Sequence, residues 1–137
     1  MPESEKPCMG KMGRLTGRVV IVEDEPGIQR FLTKLIRASG AESETASSGK
    51  EILERLPFNP NVILTILDLN LPDMSGVQVL SKIRSSHPAL PVLLSSGHDE
   101  SIVAEELSAD PNLHFLQKPY QIACFWDSLE KALGTRP

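Results

Sequence analysis

The sequence predicts an α/β fold in which a doubly wound, five-stranded parallel sheet alternates with five helices. Two observations carry this expectation. Short apolar runs, rich in β-branched residues, alternate with segments whose apolar residues recur at helical spacing. The strongest runs are continuously apolar, as befits strands covered by helices on both faces. The chain has 137 residues, the size of one ordinary domain, and 40% of them are apolar, enough for a core.

The elements follow in order. "RVVIV" (18–22) is a continuous apolar run and reads as the first strand. Ile28, Phe31, Leu32, Leu35 and Ile36 then fall on one helical stripe that stops near Gly40, with Pro26 suited to its first turn. "AESET" (41–45) is a short polar strand, and its polarity suggests a sheet edge. Ser47 and Ser48 are cap candidates for a second helix with Ile52, Leu53 and Leu56 inward, ended by Pro57 and Pro60. "NVILTIL" (61–67) is the strongest strand, and "DLNLPDMSG" (68–76) is a loop by its Pro, Asp, Asn and Gly content. Val77, Leu80 and Ile83 mark a third helix that ends before His87 and Pro88. "PVLLS" (91–95) is a fourth strand, and Ile102, Val103 and Leu107 suggest a short fourth helix. "LHFL" (113–116) is the fifth strand, followed by a last helix with Ile122, Phe125, Trp126, Leu129 and Leu133 as its stripe.

Composition narrows the function. A net charge of −4 disfavours general nucleic-acid binding, which needs a basic face. Cys8 and Cys124 have no zinc-site spacing and fit free thiols in a reducing cytoplasm. No run approaches the length of a membrane span, and the N-terminus lacks the apolar centre of a secretory signal. Residues 1–17 read as a flexible tail or linker, 18–134 as the folded domain and 135–137 as a C-terminal tail.

Ligands of open parallel sheets bind beyond the carboxyl ends of the strands. The residues in those places are Glu23, Asp24 and Glu25 after the first strand, Asp68 after the third, Ser96 and Gly97 after the fourth and Lys118 after the fifth. Adjacent carboxylates repel one another and need a cation, and hard oxygens suit Mg²⁺. A carboxylate can also attack a phosphoryl group, whose charge a metal, a lysine and a hydroxyl would stabilise. The edge therefore has the parts for taking a phosphoryl group onto an aspartate. Singly, each residue reads otherwise: Asp68 as a turn residue, Ser96 as a loop hydroxyl, Lys118 as a surface charge, and Glu25 as a solvent-facing first-turn helix residue.

With those residues in place, the chain resembles the receiver domain of two-component response regulators over residues 18–133. "VVIVEDEP" resembles the family's first strand and acidic pair, and "ILDLNLPDMSG" its phosphoacceptor strand and loop. "PVLLSSG" resembles its fourth strand and hydroxyl, and "FLQKP" its lysine–proline motif. The resemblance implies a flavodoxin-like sheet of order 2-1-3-4-5 and a cytoplasmic signalling protein rather than an enzyme. Asp68 would accept a phosphoryl group from a histidine kinase or histidine phosphotransfer protein. Glu23, Asp24, Asp68 and the backbone carbonyl of Asn70 would hold Mg²⁺ or Mn²⁺, Asp24 directly and Glu23 through water. Ser96 and Lys118 would bind phosphoryl oxygens. Ser96 and Phe115 would form a switch that alters the face of the fourth helix, fifth strand and fifth helix, although Phe115 reads equally as a core aromatic. That face would bind an unknown downstream protein, and the chain would be a monomer or a weak homodimer through the same face, with no direct contact to nucleic acid or membrane. The chain ends at "GTRP" with no output domain, so it resembles a single-domain regulator or a receiver from a hybrid histidine kinase.

Two rival readings share these residues. One is a receiver-like interaction module that is never phosphorylated. The other is an aspartate-nucleophile phosphatase, which would place a second Asp two residues after the nucleophile, where this chain has Asn70. "SSGKE" (47–51) is not a phosphate-binding loop, because Glu44 and Glu51 occupy the positions that need Gly and Ser or Thr. His87, His98 and His114 share no metal-ligand spacing.

Overall fold

A computed structural model describes residues 16–96, 110–117 and 122–133. Its strands are β1 (Arg18–Val22), β2 (Glu42–Ala46), β3 (Val62–Asp68), β4 (Val92–Ser96) and β5 (Leu113–Gln117). The helices among the described residues are α1 (Pro26–Ala38), α2 (Gly49–Leu53), α3 (Gly76–Ser86) and α4 (Ile122–Leu133). All pairings are parallel, in the order β2-β1-β3-β4-β5. The helix expected around Ile102, Val103 and Leu107 lies outside the described residues, as does most of the expected N-terminal tail.

The continuous apolar runs follow from the layering. Val20 and Val22 of β1 turn toward one core with Ile52 of α2 and Val79, Leu80 and Ile83 of α3. Val19 and Ile21 turn to the other, with Leu32 and Ile36 of α1 and Phe125, Trp126 and Leu129 of α4. Successive strand residues face opposite sides, so a strand covered twice is apolar at nearly every position, with Thr65 of β3 and Ser95 of β4 as buried polar exceptions. The polar β2 lies at the edge, as its composition suggests. Arg18 bonds Glu42 at 2.7 Å and Glu44 at 3.3 Å, and Arg55 bonds Glu44 at 2.8 Å and Glu51 at 2.7 Å.

Local chemistry sets the helix ends. Pro26 opens α1, and Gly40 follows its end at φ +100°, a conformation that side chains resist. The Ser48 hydroxyl accepts from the N–H of Glu51 and caps α2. Ser75 caps α3, and Gln78 reciprocates in a capping box.

Several expectations shift by a residue or more. β3 includes Asp68 and β4 includes Ser96, so both close their strands rather than follow them. α2 stops at Leu53, before either proline, leaving Leu56 half-buried beyond it. The inward stripe of α3 is Gly76, Val79, Leu80 and Ile83, with Val77 only half-buried. Gly76 must lie against β3, and that contact fixes the rotation of the helix. Ile122 is 51% exposed and Ala132 only 6%, so the apolar face of α4 begins at Phe125.

Arg84 of α3 is a joint that the sequence does not announce. It bonds Asp110 at 2.8 and 3.4 Å and the carbonyls of His87, Leu90 and Asn112 at 3.0, 2.6 and 3.3 Å. Burial raises the affinity of the Asp110 carboxyl for its proton, but bonds from Arg84 and from the N–H of Asn112 outweigh this and hold its pKa below the usual value. Arg84→Gln is expected to cost about 2–3 kcal/mol in urea unfolding at neutral pH, because one cut strands several partners. A depressed carboxyl stabilises above its unfolded pKa and loses that contribution as pH falls through the folded one. The gap between Arg84→Gln and the unaltered chain should therefore narrow in acid below about pH 4.

Candidate functional site

β1 and β3 are neighbours in register, Val22 opposite Leu67, so the next residues, Glu23 and Asp68, emerge side by side at the carboxyl edge. With Asp24 they form the acidic cluster, each offering a carboxylate oxygen, all within 4.8 Å of one another. Glu23 and Asp68 are only 2% and 3% exposed, while Asp24 is exposed. At this spacing and an effective dielectric of about 20, each ionised pair repels by roughly 3–4 kcal/mol before other groups respond. Such a set of hard oxygens fits a small divalent cation with room for water and phosphate oxygens.

The scaffold holds the acids by backbone contacts. The N–H of Glu25 donates to Glu23 Oε2 at 3.2 Å, and the N–H of Asn70 donates to Asp68 Oδ1 at 3.1 Å. Glu25 is the N-cap residue of α1 rather than part of its first turn, and its side chain makes no capping bond. The backbone after Asp68 is fixed from two sides. Leu69 N–H donates to Ser95 at 2.8 Å, and Gly76 N–H donates to Leu69 at 2.6 Å. Asn70 forms an isolated bridge with Ser75.

Two residues missed by the sequence reading brace this edge. Gln29 Nε2 donates to the carbonyl of Glu23 at 2.5 Å and to Ser47 Oγ at 3.2 Å, tying the loop after β1 to the loop after β2. Asp73 accepts from the backbone N–H groups of Gly49 and Lys50, both at 2.8 Å, and so ties the loop after β3 to the start of α2. Those two backbone bonds, Lys50 first, lower the Asp73 pKa. Composition marks 68–76 as a loop, but no sequence periodicity pairs Asp73 with residues so far back.

The other expected site residues divide. Ser96 is the last residue of β4, in register with Gln117, and its side chain lies outside the described residues. Lys118 lies wholly outside them, immediately after β5. Ser95 is fully buried and in register with Asp68. Phe115 is half-buried against the core that contains α2 and α3. Among the other candidates, His87 serves the fold: its Nε2 accepts from the N–H of Phe58 at 2.9 Å and its ring stacks on Phe58. His98 lies outside the described residues. No described helix is long and apolar enough to cross a membrane.

The family model of the response regulator receiver domain matches residues 19–130. DNA-binding transcriptional regulator NtrC of Escherichia coli strain K12 is 31% identical over 107 residues, which are 77% of this chain and 22% of that protein. Sensor kinase CckA of Brucella abortus is 30% identical over 105 residues, covering 76% of this chain and 11% of the kinase. The non-phosphorylated HemR receiver domain from Leptospira biflexa superposes with a TM-score of 0.72 at 30% identity, covering 88% of this chain and 98% of that one. The chain thus spans about a fifth or less of these two curated relatives.

Proposed function

Because the chain belongs to the response regulator receiver domain family, we propose that it is a phosphoacceptor whose Asp68 takes a phosphoryl group from a histidine kinase or histidine phosphotransfer protein. The observation that carries this reading is the convergence of Glu23, Asp24 and Asp68 within 4.8 Å at the carboxyl edge of the sheet. Receiver domains are regulatory rather than classical enzymes, and the product here is a modified surface for a downstream protein.

Glu23, Asp24, Asp68 and the carbonyl of Asn70 would hold Mg²⁺ or Mn²⁺. A bound dication supplies charge neutralisation for the carboxylates and for the incoming phosphoryl oxygens. Asp68 is the nucleophile. One of its carboxylate oxygens forms a bond to phosphorus as the bond from phosphorus to the donor breaks, and the donor leaves with its electron pair. Asn70 N–H, bonded to Asp68 Oδ1 at 3.1 Å, restrains the carboxylate at the end of β3. In this reading the Ser96 hydroxyl and the Lys118 ammonium, which close or follow β4 and β5 in the sequence, would take the remaining phosphoryl oxygens. Ser96 with Phe115 would carry the change to the face that β5 and α4 share. The domain comprises residues 18–134, and its proposed place is the cytoplasm, where such donors are found.

Incubation of the chain with Mg²⁺ and acetyl phosphate, read by intact mass, tests the reading. One phosphoryl group should add, with acetate as the leaving group, and chelation of the metal should prevent it. An unchanged mass under conditions where Mg²⁺ demonstrably binds would support the passive module instead. Asp24→Asn should raise the melting temperature without Mg²⁺, because it removes one repelling charge. It should also erase the stabilisation that Mg²⁺ gives the unaltered chain, which grows with free metal over its dissociation constant. Thermal melts with and without Mg²⁺ check both.

A further inference from the structure

We propose that the groove between α1 and the free edge of β2 is a docking site for an extended acidic segment of a partner protein. The groove encloses ≈ 440 Å³ and is lined by Gln29, Arg30, Thr33, Lys34, Arg37, Ser43 and Thr45. It lies on the flank of the sheet and shares with the acidic edge only Gln29, which braces the Glu23 backbone, and the proposal stands whether or not Asp68 is phosphorylated.

Charge is the first reason. α1 carries Arg30, Lys34 and Arg37 and no acid, on a chain of net charge −4. None of the three forms an ion pair among the described residues, whereas Arg18, Arg55, Arg84 and Lys131 all do. Like charges four and three residues apart on a helix repel, so the stripe costs α1 stability unless an anion lies beside it. Arg37 can be credited to the helix C-terminal dipole, but Arg30 and Lys34 cannot.

Backbone geometry is the second. The N–H of Glu42 donates to Gly17 and the carbonyl of Ala46 accepts from Glu23, so the even-numbered backbone groups of β2 face β1. Alternation turns those of Ser43 and Thr45 outward, at the end of the sheet. Arg55 already occupies the Thr45 carbonyl at 3.0 Å. Among the described residues, the N–H and carbonyl of Ser43 and the N–H of Thr45 remain to pair with an added strand.

Spacing is the third. Arg30 and Lys34 lie about 6 Å apart along the helix axis. Alternate residues of an extended segment lie about 6.6 Å apart, so alternating acids would meet both cations and continue toward Arg37. The lining contains no aromatic ring on which a nucleobase could stack, which favours a peptide over a nucleotide.

Fluorescence anisotropy with a labelled peptide of alternating glutamate and valine tests this. The unaltered chain should bind it, and added salt should weaken binding steeply. Replacing the glutamates by glutamine, or combining Arg30→Gln, Lys34→Gln and Arg37→Gln, should weaken binding about tenfold or more. These are exposed positions filled by a good helix former, and circular dichroism verifies the fold. A peptide N-methylated on its edge-facing residues should also bind more weakly, because it cannot donate to Ser43. Asp68→Asn should bind the peptide normally, which separates this site from the phosphoacceptor. Equal affinity of the triply substituted chain would overturn the proposal. So would full binding of the N-methylated peptide together with its complete displacement by tripolyphosphate, which would mark a plain anion site.

Discussion

Asp68→Asn is expected to gain no phosphoryl mass from acetyl phosphate at any Mg²⁺ concentration, while folding at least as stably as the unaltered chain. The loss should be complete rather than graded, because the substitution removes the nucleophile and not a supporting contact. An amide nitrogen has no free pair to offer, and the amide oxygen forms no stable bond to phosphorus. Stability should hold for a separate reason. Asp68 is 3% exposed beside Glu23 and Asp24, so neutralising it removes repulsion from a poorly solvated place. The amide also keeps an oxygen to accept from Asn70 N–H, a bond of 3.1 Å that alanine would leave unmade. Intact mass after incubation and a urea melt together check the pair of outcomes. Phosphoryl gain that survives the substitution would move the acceptor to Glu23 or Asp24 and sink the assignment.

Much of this architecture was legible in the chain because burial on two faces writes itself as a continuous apolar run. "RVVIV" and "NVILTIL" could hardly have been anything but inner strands, and "AESET" could hardly have been one. The acidic cluster was legible for a related reason, since charged residues directly after a buried run must lie at the sheet's edge. The fine rotation of helices was not. Val77 and Val79 are equally apolar, and what buries the second is the close approach of Gly76 to β3, a contact between backbones. Ile122 could not be told from Phe125 by hydropathy, yet one is half-exposed and the other fully buried. Least legible were Gln29, Asp73 and Arg84. Each joins segments distant along the chain through hydrogen bonds to backbone groups, which carry no residue identity for a sequence pattern to record.

Gly76→Ala is expected to destabilise the fold by about 2–4 kcal/mol and to slow phosphoryl gain at Asp68, although alanine is the better helix former by about 1 kcal/mol. A Cβ at Gly76 would stand 2.6 Å from the carbonyl oxygen of Asp68 and 2.7 Å from Leu69 Cα. Neither neighbour can yield cheaply. Gly76 N–H is bonded to Leu69 at 2.6 Å, Leu69 N–H to Ser95 at 2.8 Å, and Asp68 lies in register with Ser95 inside the sheet. Moving the start of α3 away would instead break the Ser75 capping box and unseat Val79. The strain therefore falls on the backbone that carries the proposed nucleophile. Gly49→Ala supplies the control. Its Cβ would also stand too close to a neighbour, Met74, at its Cγ and at its Sδ (2.6 Å), with Val79 Cγ2 at 3.1 Å, but the Met74 atoms belong to a flexible side chain that can turn aside rather than to backbone. The cost there should stay under about 1 kcal/mol. Urea unfolding of both variants, with phosphorylation rates beside them, separates a backbone overlap from a generic glycine effect. If the two substitutions cost the same, Gly76 does not set the distance between α3 and Asp68, and the rotation of α3 must have another cause.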